Sequence, residues 1–295
     1  MHRQTQVARD VSYANSAQSR GGRLVIRTLE NATGRLNLIK RAAGYQDEVA
    51  QGCDFWKVMI DRYGLELDVL AGSLENIPAD GPLVVVSNHP YGILDGMVLG
   101  HVLSSTRQDF RILAHTVFRK SPDLERTILP ISFAGTSDAM KLNLKTRKEA
   151  LRYLSGGGAI GVFPGGTVAT AQKPMATPLD PVWRTFTAKM IAKSEATVVP
   201  IFFHGHTSRL FQIASHLNYT LRMGLMIREF RARVDGPVAI SVGTPIKRQD
   251  LSPHCSDPKQ LMDFLRQSTY ALGPARQRNA GYGYEFEARW DAQQN

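Results

Sequence analysis

The chain has 295 residues, 43% of them hydrophobic and 21% charged, a make-up that allows a sizeable core and excludes a wholly disordered chain. Glycine (25) and proline (15) are near average usage, and two cysteines, Cys53 and Cys255, are too few for a disulfide framework. The net charge is +10, from 36 Lys+Arg against 26 Asp+Glu, so an anionic partner is expected: nucleic acid, an acidic lipid surface or an acidic carrier protein.

Met1 to Arg20 is polar and lacks the apolar centre of a secretory signal, and no apolar run approaches the length of a membrane span. The expectation is a cytoplasmic chain, soluble or bound peripherally to a membrane. Residues 1–45 hold eight basic side chains (Arg3, Arg9, Arg20, Arg23, Arg27, Arg35, Lys40, Arg41) and two acidic ones (Asp10, Glu30), which is +6 of the +10. Within them Val25, Leu29, Ala32, Leu36 and Ile39 recur at helical spacing. Val49, Cys53, Trp56, Met59 and Tyr63 mark a second helix, with Gly64 placed as its C-cap. Together they predict an N-terminal helical hairpin over residues 1–64. Two readings of it stay open: both stripes pack on the main domain, or the segment is a basic amphipathic element that docks on a membrane.

From residue 65 the pattern alternates between strands and helices. Strands are predicted over Leu65 to Val69, Pro82 to Ser87, Phe110 to Ala114, Ile160 to Phe163, Thr197 to Phe203 and Val238 to Val242. Helices are predicted over Ile93 to Leu103, Thr146 to Leu154, Trp183 to Ser194, part of 208–232, and Pro258 to Leu272. Pro200 within its strand predicts an edge position or a strand end. The alternation predicts an α/β domain over 65–273, a mixed but largely parallel sheet flanked by helices. Residues 274–295 form a glycine-rich, aromatic tail whose structure the pattern does not predict.

Val84 to Gly96 reads VVVSNHPYGILDG: a buried strand runs out into Asn88–His89, with Asp95 near the start of the next helix. Ligands of open α/β sheets bind at that strand edge. A histidine there with a carboxylate one turn away can form a pair in which the carboxylate fixes the ring tautomer and leaves a general base. A structural histidine beside an unrelated helix-capping aspartate is the plainer alternative. Gly161 to Thr167, GVFPGGT, is a second strand ending in a tight turn, and its amides at Gly165, Gly166 and Thr167 can hold an anion or a developing oxyanion. His204 and His206 form a His-x-His at a strand end, open to three readings: metal ligands, pocket lining or structure. Arg119, with Lys120, either contacts an anionic group or belongs to a solvated patch. No Gly-x-Ser-x-Gly elbow occurs, and the triple glycine at 156–158 lacks the P-loop ending. No helix-turn-helix, zinc-ligand or aromatic RNA-binding pattern accompanies the charge, which argues against nucleic acid.

Asn88–His89…Asp95, Phe163-Pro164-Gly165-Gly166-Thr167 and Val199–Pro200, in this order, resemble the signatures of the lysophospholipid acyltransferase superfamily, which includes the 1-acylglycerol-3-phosphate acyltransferases. The resemblance covers roughly residues 65–250. It implies His89 as general base, Asp95 as its support, and Asn88, Gly165, Gly166 and Thr167 as substrate-binding residues, with no resident cofactor; Arg119, His204 and His206 are added as substrate-binding candidates from their own positions, and no metal is expected. It implies an acyl thioester of acyl carrier protein or coenzyme A as co-substrate, and direct transfer without an acyl-enzyme. Three departures stand out. Five residues rather than four separate His89 from Asp95, with Gly92 available to absorb the extra one. The second signature, matched by Leu129 to Phe133, lacks its usual arginine, and Gly165 replaces the glutamate of the third. The pattern is therefore more similar to the bacterial O-acyltransferases that complete aminolipids, of the ornithine-lipid or sulfur-containing type. That implies a lyso-aminolipid acceptor at the inner membrane, with lysophosphatidic acid as the alternative acceptor and a non-catalytic lipid-binding protein as the second alternative.

Overall fold

The computed structural model describes residues 12–17, 19–107, 109–116, 122–132, 136–278 and 281–286. Seven strands make one sheet in the described residues: β1 (Leu65–Ala71), β2 (Leu83–Ser87), β3 (Phe110–His115), β4 (Ile128–Ile131), β5 (Ala159–Val162), β6 (Thr197–Phe203) and β7 (Gly236–Val242). Their order is β1-β7-β6-β2-β5-β3-β4. The five strands from β6 to β4 are mutually parallel, β7 runs antiparallel to β6, and β1 is parallel to β7. The mixed, largely parallel α/β sheet expected from the alternation is what the chain forms.

Successive side chains of a strand face opposite ways, and β2 shows why its run had to be wholly apolar. Leu83 and Val85 enter the core on one face of the sheet, Val84 and Val86 the core on the other. The first face is covered by α4 (Phe55–Tyr63) and α5 (Ile93–Thr106), the second by α7 (Ser137–Ser155), α8 (Thr185–Ile191) and α12 (Pro258–Tyr270). Of the connecting helices, α6 (Pro122–Glu125) precedes β4, α11 (Arg248–Leu251) follows β7, and α13 (Ala275–Arg278) follows α12.

Several boundaries differ from the periodicity. The helix expected from Thr146 begins at Ser137, capped by the Thr136 hydroxyl, because its early turns are polar and carry no stripe. The stretch 208–232 is two helices, α9 (Arg209–Leu217) and α10 (Tyr219–Arg231), separated at Asn218, whose side chain caps the second. Pro200 lies inside the sheet, not on an edge, paired with Val86 of β2. Its carbonyl accepts from Gly243 N at 2.8 Å where β7 pairing has ended, so its missing N–H faces a gap in the ladder.

The N-terminal region is divided more finely than a hairpin: α1 (Arg20–Ala32), α2 (Arg35–Ala42), α3 (Tyr45–Ala50) and α4. Gly34 and Gly44 break it, at φ 117° and 86°, conformations that a side chain would strain. The buried face is also not the stripe read from the sequence. Ile26, Glu30, Arg35, Leu38 and Ala42 point inward, while Val25 is 44% and Leu36 61% exposed. Glu30 explains the inward polar face: its carboxylate accepts from Ser12 Oγ at 2.6 Å and Tyr13 N at 2.5 Å, and stands 3.7 Å from the Arg35 guanidinium. The α1 helix runs alongside α10 in the same direction, with Gly22 near Thr220, Leu29 over Gly224 and Gly34 against Arg231.

Candidate active site

β2 lies at the centre of the sheet between β5 and β6, the point where the strand order reverses and a crevice opens at the carboxyl ends. His89 follows β2 directly. Its Nδ1 stands 2.9 Å from Asp95 Oδ2, within ion-pair distance. Asp95 is fully buried and is the third residue of α5, where Oδ2 also accepts from Tyr91 N (2.7 Å) and Gly92 N (3.0 Å). Burial raises its pKa, and the His89, Tyr91 and Gly92 bonds pull it back down. Gly92 caps the helix at φ 81° and packs so closely that a Cβ would lie 2.4 Å from Met226 Cε. Gly92 is one of the five residues between His89 and Asp95, and its positive φ turns the chain into α5.

The rest of the histidine is clamped. Its amide donates to Asp180 Oδ1 (3.1 Å), its carbonyl accepts from Ala169 N (2.8 Å), and its ring stacks on Phe163 with centroids 4.3 Å apart. Asp180 belongs to no motif and lies 91 residues from His89, so no local sequence pattern marks it. It is fully buried, accepts from Trp183 Nε1 at 2.9 Å, and has a pKa raised by that burial. Gly165 lies beside it: a Cβ at that position would stand 3.4 Å from Asp180 Cβ and Cγ, an ordinary contact.

A cavity of about 250 Å³ opens beside the ring. Phe55, Trp56, Met97, Ile112, Leu124 and Ile128 make its apolar depth, and Thr167, Gly166, Arg222 and Tyr13 join His89 among its lining. Gly100 lets the Trp56 ring settle on α5, since a Cβ there would lie 2.2 Å from it. At Gly96 a Cβ would meet nothing within 4 Å.

The residues predicted to bind substrate separate into groups. Gly166 and Thr167 line the cavity, although the Gly166 amide is committed to Phe163 O at 3.0 Å and is not available to an oxyanion. Asn88 does not line it: its side chain donates to Phe203 O and accepts from Phe203 N, which ties the β2 end to β6. His204 and His206 are also outside it. His204 Nε2 lies 2.7 Å from Ser241 Oγ, and His206 Nδ1 lies 2.8 Å from the Thr207 carbonyl. His204 reaches the site only through its carbonyl, which accepts from Tyr91 Oη at 3.0 Å and so steadies the His89–Asp95 loop. Burial pushes the Tyr91 phenol up to about 12, so it remains a donor. Arg119 lies outside the described residues. Among the described residues no group of His, Cys, Asp and Glu is arranged to hold a metal, and no helix is long and apolar enough to cross a membrane.

The chain is similar to several known proteins. Two curated relatives, each described as a lyso-glycine lipid O-acyltransferase, come from Phocaeicola vulgatus and Bacteroides thetaiotaomicron. Each is 24% identical over 233 residues, spanning 75% of this chain and 78% or 80% of the relative. A crystal structure of the 1-acyl-sn-glycerophosphate (LPA) acyltransferase PlsC from Thermotoga maritima superposes with a TM-score of 0.49 at 16% identity, covering 92% of this chain and 87% of that one. The family model described as Acyltransferase matches residues 50–278, a span that holds His89, Asp95, Phe163–Thr167 and the whole sheet, and the chain belongs to that acyltransferase family.

Proposed function

We propose that the protein moves a fatty acyl group from an acyl thioester to the hydroxyl of a lyso-lipid, and that the acceptor is a lyso-aminolipid. The observation that carries this reading is the His89–Asp95 pair at 2.9 Å on the rim of an apolar cavity of about 250 Å³. The two lyso-glycine lipid O-acyltransferases support the acceptor class. The thioester chain lies in the cavity. His89 Nε2 takes the proton of the acceptor hydroxyl as its oxygen attacks the thioester carbonyl, and Asp95 supports the imidazolium that forms. The new ester bond forms, the carbon–sulfur bond breaks, and the thiolate leaves to recover a proton. The donor is an acyl carrier protein or coenzyme A thioester, used as a co-substrate with no resident cofactor.

The reaction belongs on a membrane surface, with the enzyme bound peripherally to the cytoplasmic face of the inner membrane. The basic N-terminus supports this in altered form, since Arg35 is buried beside Glu30 and Arg41 pairs with Asp235. Arg20 and Arg23 remain exposed next to Leu24 and Val25. A second stripe, Leu210, Ile213, Leu217 and Leu221, is exposed along α9 and the start of α10, the helix that also lines the cavity.

The test is lipid profiling of a deletion strain together with transfer assays on purified protein. Loss of a diacylated aminolipid with build-up of its lyso form is the expected result. Build-up of lysophosphatidic acid instead would overturn the acceptor class, and an unchanged lipid profile with no transfer in vitro would overturn the reading as a whole.

A further inference from the structure

Residues 281–286, part of the glycine-rich aromatic tail, lie outside every motif and reach back to the segments that hold His89. Those segments are two, and distant in sequence. Ala169 N donates to the His89 carbonyl at 2.8 Å, and Asp180 Oδ1 accepts from the His89 amide at 3.1 Å. They meet at an antiparallel bridge between Thr170 and Leu179, where Thr170 N donates to Leu179 O at 3.0 Å. A lone bridge of this kind holds two segments only marginally. The tail adds a bond to each side of it: Gly283 N donates to Asp180 O at 2.7 Å, and Tyr284 N donates to Thr170 O at 2.9 Å. Gln172 Nε2 donates in turn to the tail carbonyls of Tyr282 (3.0 Å) and Gly283 (2.9 Å). Gly283 is buried, and a Cβ there would lie 1.8 Å from Leu179 O and 2.7 Å from Thr170 O. A residue without a side chain is therefore what lets the tail seat across the bridge. Both ends of the seat are tied down. Arg266 Nη2 donates to Gly281 O at 2.9 Å, and the buried Phe286 ring stacks on Tyr219 with centroids 5.9 Å apart.

We propose that Gly283 and Tyr284 are positioning residues for His89: the tail staples residues 169–170 to 179–180, and through Ala169 and Asp180 it sets the place from which the imidazole takes the acceptor proton. Main-chain bonds to both sides of the bridge remove the slack that one pairing leaves, and a displacement of the base by about 1 Å costs on the order of 100-fold in rate. This rests on the acyl-transfer reading above, in which His89 is the base.

The test uses the full-length protein as wild type, Gly283→Ala, Asp180→Asn and the double variant, with a palmitoyl thioester as donor and an N-(3-hydroxyacyl)glycine or lysophosphatidic acid as acceptor. Gly283→Ala is expected to lower kcat about 10- to 100-fold with the KM for donor and acceptor unmoved. The double variant should fall well short of the product of the two single losses, because both changes loosen the same hold on His89. Amide hydrogen exchange read by mass spectrometry should rise in residues 88–90, 169–171 and 179–181 of Gly283→Ala and stay at the wild-type level in β2 and β5. Gln172→Ala, at an exposed position, removes two bonds to the tail without a clash and should lower kcat in the same sense by less. It carries the test if Gly283→Ala does not fold. Unchanged kcat in the folded variants overturns the proposal, as does a change confined to KM or a double variant whose loss equals the product. Exchange at 88–90 that stays at the wild-type level overturns it too, and that arm needs no substrate. Absence of transfer to either acceptor by wild type would instead count against the acyl-transfer reading itself.

Discussion

Four contacts fix His89: Asp180 on its amide, Ala169 on its carbonyl, Phe163 under its ring and Asp95 at Nδ1. As the proposed general base His89 must be aimed as well as present, because a misplacement of about 1 Å can cost on the order of 100-fold in rate. Replacing His89 by Ala is expected to lower kcat by roughly 10²–10⁴-fold without loss of fold, read by transfer assay and circular dichroism. Full activity in that variant would remove the histidine from the mechanism. Asp180→Asn is the subtler change. An aspartate accepts from both His89 N and Trp183 Nε1, and an amide can accept from only one of them. We expect kcat to fall by about 10- to 100-fold with the KM for both substrates nearly unchanged. A shift in KM alone would mark Asp180 as a binding residue instead. The His89–Asp95 pair was legible in the sequence because both members lie on one short loop. Asp180 and Arg222 were not, since each arrives from a distant segment and neither stands in a local pattern.

At the scale of elements, α5 does two jobs: its first turn holds Asp95 and its second lines the cavity through Gly96. Gly96 lies inside the helix with open space at its Cβ, so Gly96→Leu is expected to fill the cavity with no strain of its own. Replacing a helical glycine also favours folding by roughly 0.5–1 kcal/mol. The combined expectation is a higher thermal midpoint and a shift of the transferred chains towards shorter lengths, read by product chromatography. An unchanged chain profile would place the acyl group elsewhere. The α1 helix carries a second testable device in Glu30. Burial raises its pKa above the ordinary glutamate value of about 4.3, so the folded state binds this proton more tightly than the unfolded chain does. The stability it contributes is complete below that value and is lost as pH rises through the folded pKa. Glu30→Gln cannot ionise, so its thermal midpoint relative to wild type should climb as pH is raised from about 4 to 7. A constant difference across that range would contradict the sign. Helical spacing found these N-terminal helices but chose the wrong face, because Glu30 and Arg35 are buried together and hydropathy counts such a pair as solvent-facing.

For the molecule as a whole, the +10 charge has a location but not the simple one its sequence position implied. Residues 1–45 hold much of it, yet folding withdraws Arg35 into the interior and ties Arg41 to Asp235. What the fold adds is apolar: Leu24 at 69%, Leu217 at 72% and Leu210 at 50% exposure, on α1 and α9, the two helices that flank α10. A scan for buried faces passes over the α9 stripe, since its leucines recur at the spacing of a core helix while the opposite face, with Phe211 and Ala214, is the one that packs. Exposed leucines beside arginines are the composition of a surface that rests on anionic lipid, where each nearby basic residue contributes about 1 kcal/mol and each buried methylene about 0.8 kcal/mol. The two contributions separate by salt, because only the first is screened. Vesicles containing phosphatidylglycerol are expected to sediment with the wild-type protein at low salt and to release part of it as salt is raised. Leu217→Asp combined with Leu24→Asp should weaken binding at every salt concentration and leave transfer to a detergent-dispersed acceptor intact. Arg20→Gln with Arg23→Gln should instead flatten the salt dependence while keeping the apolar share. Binding that is insensitive to all four substitutions would move the membrane-facing surface to another part of the molecule, and with it the path by which a lipid reaches His89.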